Sequence, residues 1–435
     1  MTPTAAHPKQ PALVQPTVVR WQRGVPVYGF PVFTRPFAIL AALAAMGISL
    51  AVYREIMGLG PASGMNDAYA WGIWKTFNVM VLTGLGSGGF AVGIAAWIFF
   101  RRSLHAVMRT ALLTSFIAYF TGLIALGVDV GRPWNFYWAI MPWKWNGHSP
   151  MLEIAICMPL YAFFPLLLEN IPPVLERWYY YWKESRPVID RIMPVIRITY
   201  PWVVALAYAL PMLHQSSLGA LMLLGGTKVN ALWQTPMLPY LYVAAAAYLG
   251  FACVILTLVM CCMFWKRPFD RIIMGELANI MSKFTLGWVA VRLLDVIVRG
   301  VLPLAFQPTR FAFLFWMENF LLILPNMMLL SKERRENIDQ LFKWTIPVAL
   351  GGMLYRFDPT TLAYSPQPGA YYFPSFVEIL ISLGWVSVAS MVFLVMVKKT
   401  AILPAPIEHW YKLEQYQQAL KPEVKLTGYV ASHSH

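Results

Sequence analysis

The run PYLYVAAAAYLGFACVILTLVMCCMFW fills residues 239–265 and contains no charged side chain. A helix rises about 1.5 Å per residue, so about 20 such residues cross the roughly 30 Å hydrocarbon core of a bilayer. The apolar residues are continuous and do not alternate, which argues against a β-barrel strand. Working outward, nine further apolar segments emerge near 37–57, 76–100, 110–128, 151–168, 198–218, 283–305, 311–331, 343–357 and 377–397, the ninth in chain order being the shortest. Composition agrees. The 435-residue chain is 58% hydrophobic and 12% charged, with a mean hydropathy of +0.56, against about 25% charged residues in soluble domains. The expected fold is an all-α polytopic membrane protein of about ten transmembrane helices.

The formal net charge is +14. It does not point to nucleic acid, because the cations gather in alternate loops. One set of loops is short and basic: Arg101 to Arg109, Arg177 to Arg197, Lys266 to Arg271, Lys332 to Arg335 and Lys398-Lys399. Four inner loops hold about 16 Lys and Arg against about 7 in the five outer ones, which places the basic side and both termini in the cytoplasm. The division that follows is a cytoplasmic N-terminal segment (1–36), a transmembrane domain (37–400) and a cytoplasmic tail (401–435). The N-terminus is polar and Pro-rich, with Arg20 and Arg23, and does not read as a cleavable signal peptide. The outer loops at 129–150 and 358–376 are rich in Trp, Tyr, Phe, Pro and Gly. Part of that content suits an interfacial belt, and the rest a docking platform for a partner. The glycines of Thr83-Gly84-Leu85-Gly86-Ser87-Gly88-Gly89 lie inside the second apolar segment and suit close helix approach, not phosphate binding.

Ionisable groups at membrane depth are costly and mark function. His214 lies in the fifth segment, Asp129 and Arg132 at the outer end of the third, and Glu153 near the outer start of the fourth; these are expected at a similar depth. Arg109, Tyr119 and Asp129 are spaced by ten, close to three helical turns, and together cover about 30 Å. That spacing allows a polar track, although Tyr119 as a packing residue and Arg109 as a basic anchor fit equally well. Arg292 and Asp295, three apart in the seventh segment, are expected to pair, with Arg299 nearby. Glu318 and Glu378 stand alone in their segments as secondary candidates.

A quinone fits the outer cluster, since it needs a hydrogen-bond donor at each oxygen and a proton for each electron. His214 can donate and relay, Asp129 or Glu153 can deliver protons, and apolar walls can hold ring and tail. One histidine in the apolar segments cannot provide a bis-histidine haem site; His105 and His148 fall in loops, and His7, His409, His433 and His435 in the tails. Cys157, Cys253, Cys261 and Cys262 form no C-x-x-C pair, so neither a metal nor an iron–sulfur cluster is expected in this chain. Electrons must come from, or go to, a separate subunit.

The runs Gly127-Val128-Asp129-Val130-Gly131-Arg132, Leu152-Glu153-Ile154-Ala155 and Leu213-His214-Gln215-Ser216-Ser217-Leu218-Gly219 resemble the NrfD/PsrC-like membrane subunits, in particular the HybB type of hydrogenase-2-class NiFe-hydrogenases. Trp71-Gly72-Ile73-Trp74, Arg292 to Arg299, and Phe373 to Leu380 extend the resemblance over nearly the whole chain outside its tails. It implies two four-helix bundles with flanking helices in the bacterial inner membrane. It also implies a menaquinone or ubiquinone site near the periplasmic face, with Asp129, Glu153 and His214 catalytic and Asp129, Arg132, His214 and Ser216 binding quinone. Arg109, Tyr119 and Glu153 would form a proton path. The implied partners are a periplasmic ferredoxin-like iron–sulfur subunit and the hydrogenase large and small subunits. Rival readings are an NrfD-like subunit of another respiratory complex handling polysulfide, molybdopterin or multihaem partners, a secondary transporter, and a haem-carrying cytochrome.

Overall fold

The computed structural model describes residues 21–24, 31–69, 71–130, 132–265 and 269–406. Most of both predicted tails, and the basic pair Lys266-Arg267, lie outside the described residues. The long helices are α1 (Arg35–Met57), α2 (Ile73–Ile98), α3 (Met108–Asp129), α4 (Pro150–Tyr179), α5 (Arg186–Leu223), α6 (Leu238–Phe264), α7 (Arg271–Val298), α8 (Arg310–Leu329), α9 (Ile338–Phe357) and α10 (Phe376–Lys399). Among the described residues, eight are long and apolar enough to cross a membrane; α7 and α9 are the two outside that set. Charge is the reason. Helix α7 carries Arg271, Glu276, Lys283, Arg292 and Asp295, and α9 carries Asp339, Lys343 and Arg356. Helix α7 also begins twelve residues before the predicted apolar start at 283, because an Asp270 side-chain cap on the Ile272 and Ile273 amides starts it in polar sequence.

The described residues are all-α as expected, apart from one short ribbon. Strand β1 (Trp21–Gly24) pairs antiparallel with β2 (Pro404–Pro406) and links a segment before α1 to one just after α10. Nearby, Arg109 Nη1 donates to the Ala401 carbonyl at 2.9 Å and Arg177 to the Lys399 carbonyl at 2.6 Å, so this is the basic end of the helix layer. At the other, aromatic end, Tyr69 packs on Tyr364 and Tyr372, and Val229 bridges to Tyr364.

Glycines set the closest helix approaches. A Cβ on Gly47 of α1 would lie 2.5 Å from the Gly384 Cα of α10, so these backbones touch. Within α2, a Cβ on Gly88 would meet Val254 at 2.6 Å, and one on Gly250 of α6 would meet the Gly88 nitrogen at 2.5 Å. The glycine run therefore serves close packing, as its sequence suggests, against the central and most apolar helix.

Several helices are interrupted by π-helical turns: Thr76–Val81 and Ile94–Ile98 in α2, Ala162–Leu166 in α4, and Asp358–Leu362 directly after α9. Such a turn adds a residue and rotates the following face, and it is frequent at functional sites. Pro165 accounts for the turn in α4, since it cannot donate a backbone hydrogen bond. At the start of α10, the secondary candidate Glu378 gains partners from outside its own segment. Glu378 closes a capping box with Ser375, and its Oε1 also accepts from Gly64 N at 2.6 Å while Tyr372 Oη donates to its Oε2 at 2.6 Å. Its buried carboxylate holds the α1–α2 connection onto α10.

Candidate functional site

Tyr119 faces inward from the middle of α3 and is fully buried. Its hydroxyl accepts from the Gln215 amide at 3.0 Å, and the same amide donates to Thr83 Oγ1 at 3.2 Å. The neighbouring residue on α5, His214, is also fully buried; its ring stands edge-on to Tyr119 at 5.5 Å, and among the described residues neither ring nitrogen has a hydrogen-bond partner. One turn further along α5, the Ser217 hydroxyl donates to the Glu153 carboxylate of α4. Helices α3 and α5 thus bring Tyr119, Gln215 and His214 together, and Ser217 ties Glu153, exposed near the start of α4, to the same stretch of α5.

Asp129 forms a second group. It is 5% exposed, and among the described residues neither buried carboxylate oxygen makes a hydrogen bond of normal geometry. Lys75 and Arg54 supply positive charge around it, and the Asn78 amide lies alongside. Arg54 is held by the Glu55 carboxylate at 2.7 Å and the Val130 carbonyl at 3.1 Å. Asp129 is ten residues, about 15 Å, from Tyr119 along α3. Because His214 packs on Tyr119, it lies nearer the middle of the helix layer than Asp129, and the common depth expected from sequence does not hold.

Lys75 was not a sequence candidate. It sits at the aromatic end of α2, where a cation ordinarily anchors a span. In the structure it walls a cavity of about 320 Å³ with Trp71, Met151, Met222, Thr360 and Tyr364. That volume is in the range of small-molecule sites. The cavity has the Lys75 amine, two hydroxyls and aromatic rings on otherwise apolar walls, with the buried Asp129 carboxyl beside the amine. Such a lining can orient a flat ring bearing carbonyl oxygens and exchange protons with it.

The other sequence candidates are placed as follows. Arg132 is exposed at the aromatic end and does not join the buried groups. Ser216 points to a different cavity, an apolar groove of about 650 Å³ that also includes Ile94, Phe99, Leu213 and Phe284, whose walls fit a hydrocarbon chain. Arg109 is engaged at the basic end, donating to both Glu176 oxygens at 2.9 and 2.6 Å. The expected Arg292–Asp295 pair is absent. Asp295 instead pairs with Arg299 at 2.9 Å and accepts from Thr235 at 2.8 Å, whereas Arg292 crosses to Glu318 on α8.

Glu318 is accordingly not isolated. Trp233 Nε1 donates to it at 3.0 Å, and the Asp358 carboxyl lies against it. The Arg292 guanidinium stands 5.0 Å from the ring centres of both Phe315 and Tyr355. Next to this cluster, Arg356 is fully buried, donates to the Tyr242 carbonyl at 2.9 Å, and retains two unpartnered nitrogens. Its charge also reaches His214. Arg356 and Asp358 fall where sequence reading ends a span and begins a loop, so nothing local marks them.

Residues 61–358 match the family model described as "Polysulphide reductase, NrfD". The chain belongs to the NrfD family. This NrfD protein is 32% identical over 379 residues to the "Probable Ni/Fe-hydrogenase 2 b-type cytochrome subunit" of Escherichia coli (strain K12), covering 86% of this chain and 94% of that protein. It is 25% identical over 238 residues to the "Menaquinone reductase, integral membrane subunit" of Nitratidesulfovibrio vulgaris, covering 54% of each. It is 25% identical over 101 residues to one of the subunits of the selenate reductase of Mesobacillus selenatarsenatis, covering 23% of each. The chain is therefore an integral multi-pass membrane protein related to membrane subunits of oxidoreductase complexes.

The E. coli relative's name raises haem. His214 packs on Tyr119 beside the Arg356 charge and its ring nitrogens are buried and unpartnered among the described residues, so a bis-histidine haem turns on a second histidine near it. The other described histidines are His148, exposed in a loop at the aromatic end, and His105, packed on Trp97 near the basic end. Neither is placed to share an iron with His214.

Proposed function

We propose that this chain is the quinone-reactive membrane subunit of a respiratory oxidoreductase complex. The observation that carries the reading is the 320 Å³ cavity walled by Lys75, Thr360 and Tyr364, with Asp129 buried beside Lys75. A menaquinone or ubiquinone ring bound there takes two electrons and two protons to become a quinol. Lys75 holds a ring oxygen and Asp129 exchanges its proton. His214 and Tyr119 form the relay that restores protons from deeper in the helix layer, and Glu153, bonded by Ser217 near the start of α4, is a further acid on the aromatic side. In this reading about ten helices cross the bacterial inner membrane within residues 37–400, with the basic end and both termini in the cytoplasm.

The electrons come from a partner on the periplasmic side, a ferredoxin-like iron–sulfur subunit fed by a NiFe-hydrogenase. The likeness to the E. coli hydrogenase subunit over 86% of the chain supports that choice. Trp134, Trp143, Tyr371 and Phe373, all more than 65% exposed at the aromatic end, supply a docking surface. Hydrogen oxidation outside and proton uptake from the cytoplasm would together separate charge across the membrane. A second reading keeps the quinone site and changes the partner: the menaquinone reductase relative favours another electron donor with the same direction of flow, and the selenate reductase relative favours the reverse direction, from quinol to the partner.

The test is to purify the chain with its associated proteins and titrate it with the fluorescent quinone analogue 2-heptyl-4-hydroxyquinoline N-oxide. Saturable quenching displaced by menaquinone is expected, with hydrogenase subunits in the preparation. Absence of saturable binding would remove the quinone reading. Binding with other redox partners would select the second one.

A further inference from the structure

We propose that Glu169 is the carboxyl through which protons enter the relay from the basic end of the chain. This rests on the quinone reading above and adds to it the group that loads the relay.

Glu169 lies on α4, seven residues from Glu176 and so about 10 Å deeper in the helix layer. The two acids have opposite fates. Glu176 is neutralised by the bidentate Arg109 pair. Glu169 is 9% exposed, its Oε2 has no hydrogen-bond partner among the described residues, and it lines a cleft of about 10 Å³ with Tyr161 and Tyr208. That is room for about one water molecule, with three polar side chains to hold it. A carboxyl buried in a span without a cation is costly, and such residues mark ion and proton routes.

Its neighbours are fixed. Asn170 donates to the Leu112 carbonyl at 3.2 Å, which holds this turn of α4 against α3. On the opposite wall, a Cβ on Gly93 would lie 3.0 Å from Tyr208 Oη, so glycine is what leaves the tyrosine its place in the cleft. Tyr161 then leads onward: its ring stands edge-on to Tyr119 at 4.7 Å, and Tyr119 meets Gln215 and His214. The order from the basic end is therefore Glu169, Tyr161, Tyr119, His214. For each quinone reduced, two protons pass inward from Glu169, which is reprotonated each time from the cytoplasmic side. They join the two electrons from the iron–sulfur partner on the quinone oxygens.

The experiment uses the whole complex in liposomes with a pH dye on the basic side. Wild type is compared with Glu169→Gln and Glu169→Asp. Dicyclohexylcarbodiimide, which adds to protonated carboxyls in apolar surroundings, gives an independent readout by mass spectrometry. Glu169→Gln is expected to slow proton uptake and quinol formation by at least about tenfold while leaving quinone-analogue binding unchanged. Glu169→Asp is expected to recover part of the rate, and the carbodiimide to label Glu169. Wild-type proton uptake in Glu169→Gln, or a wild-type Glu169 that the carbodiimide does not label, would overturn the proposal. A wild-type complex that binds no quinone analogue, yet is labelled at Glu169, would overturn the quinone reading and leave the carboxyl in place.

Discussion

The Gln215 amide donates to the Tyr119 hydroxyl at 3.0 Å, so the residue beside His214 fixes the tyrosine against which His214 packs. This is a positioned acceptor in a buried site, and the hydroxyl keeps its own proton free to pass on. Tyr119→Phe removes that proton and leaves the ring. The expected outcome is a fall in quinol formation of about tenfold or more, with quinone-analogue affinity unchanged. Stopped-flow quinone reduction alongside an equilibrium titration separates the two effects.

Lys75 supplies the charged donor in the outer cavity. Hydrogen bonds to charged groups contribute about 1.5–3 kcal/mol, so Lys75→Met should weaken quinone-analogue binding by at least about tenfold. Asp129 would then be buried beside Arg54 alone of its two cations. The combined Lys75→Met and Asp129→Asn variant should therefore be better folded than Lys75→Met. Thermal unfolding in detergent, followed by intrinsic fluorescence, measures this order.

The helices were legible because each charge-free run of about 20 residues has one physical solution in lipid. Asp129, Glu153 and His214 were legible as ionisable groups inside such runs. Lys75 and Arg54 were not, because a cation at the end of an apolar run reads as an ordinary anchor. Glu169 was hidden in the same way, just beyond an apolar segment taken to end at 168, where π-helical geometry in fact carries the helix on to Tyr179. Arg292 and Glu318 are 26 residues apart on different helices, and no local periodicity links them. The sequence offers Asp295 as the near partner, yet Asp295 is taken by Arg299.

The Arg292–Glu318 pair is buried, at 2% and 0% side-chain exposure. Removing one member leaves an uncompensated charge, at a cost of about 3–5 kcal/mol. Glu318→Leu should lower the melting temperature sharply. The double variant Arg292→Met with Glu318→Leu should recover most of it, because neither member of the pair is then left charged without the other. Equal destabilisation by the single and double variants would show that the pair is not the dominant interaction there.

The contact of Gly47 with Gly384 predicts that size at either position separates α1 from α10. Gly47→Leu forces backbone displacement and should cost about 1–3 kcal/mol. Introduced cysteines on the two helices would lose their crosslinking yield in that variant. Gly58, which faces open space on the same chain segment, gives the comparison for crowding, with its own backbone strain at φ 86°.

The most direct test of the central claim compares two electron acceptors in the assembled complex carrying His214→Ala. One acceptor is a menaquinone analogue, which must reach this chain; the other is a viologen dye, which takes electrons from the partner subunits. The account predicts quinone reduction lowered by at least about tenfold with viologen reduction unchanged. Quinone reduction at the wild-type rate in that variant would contradict it.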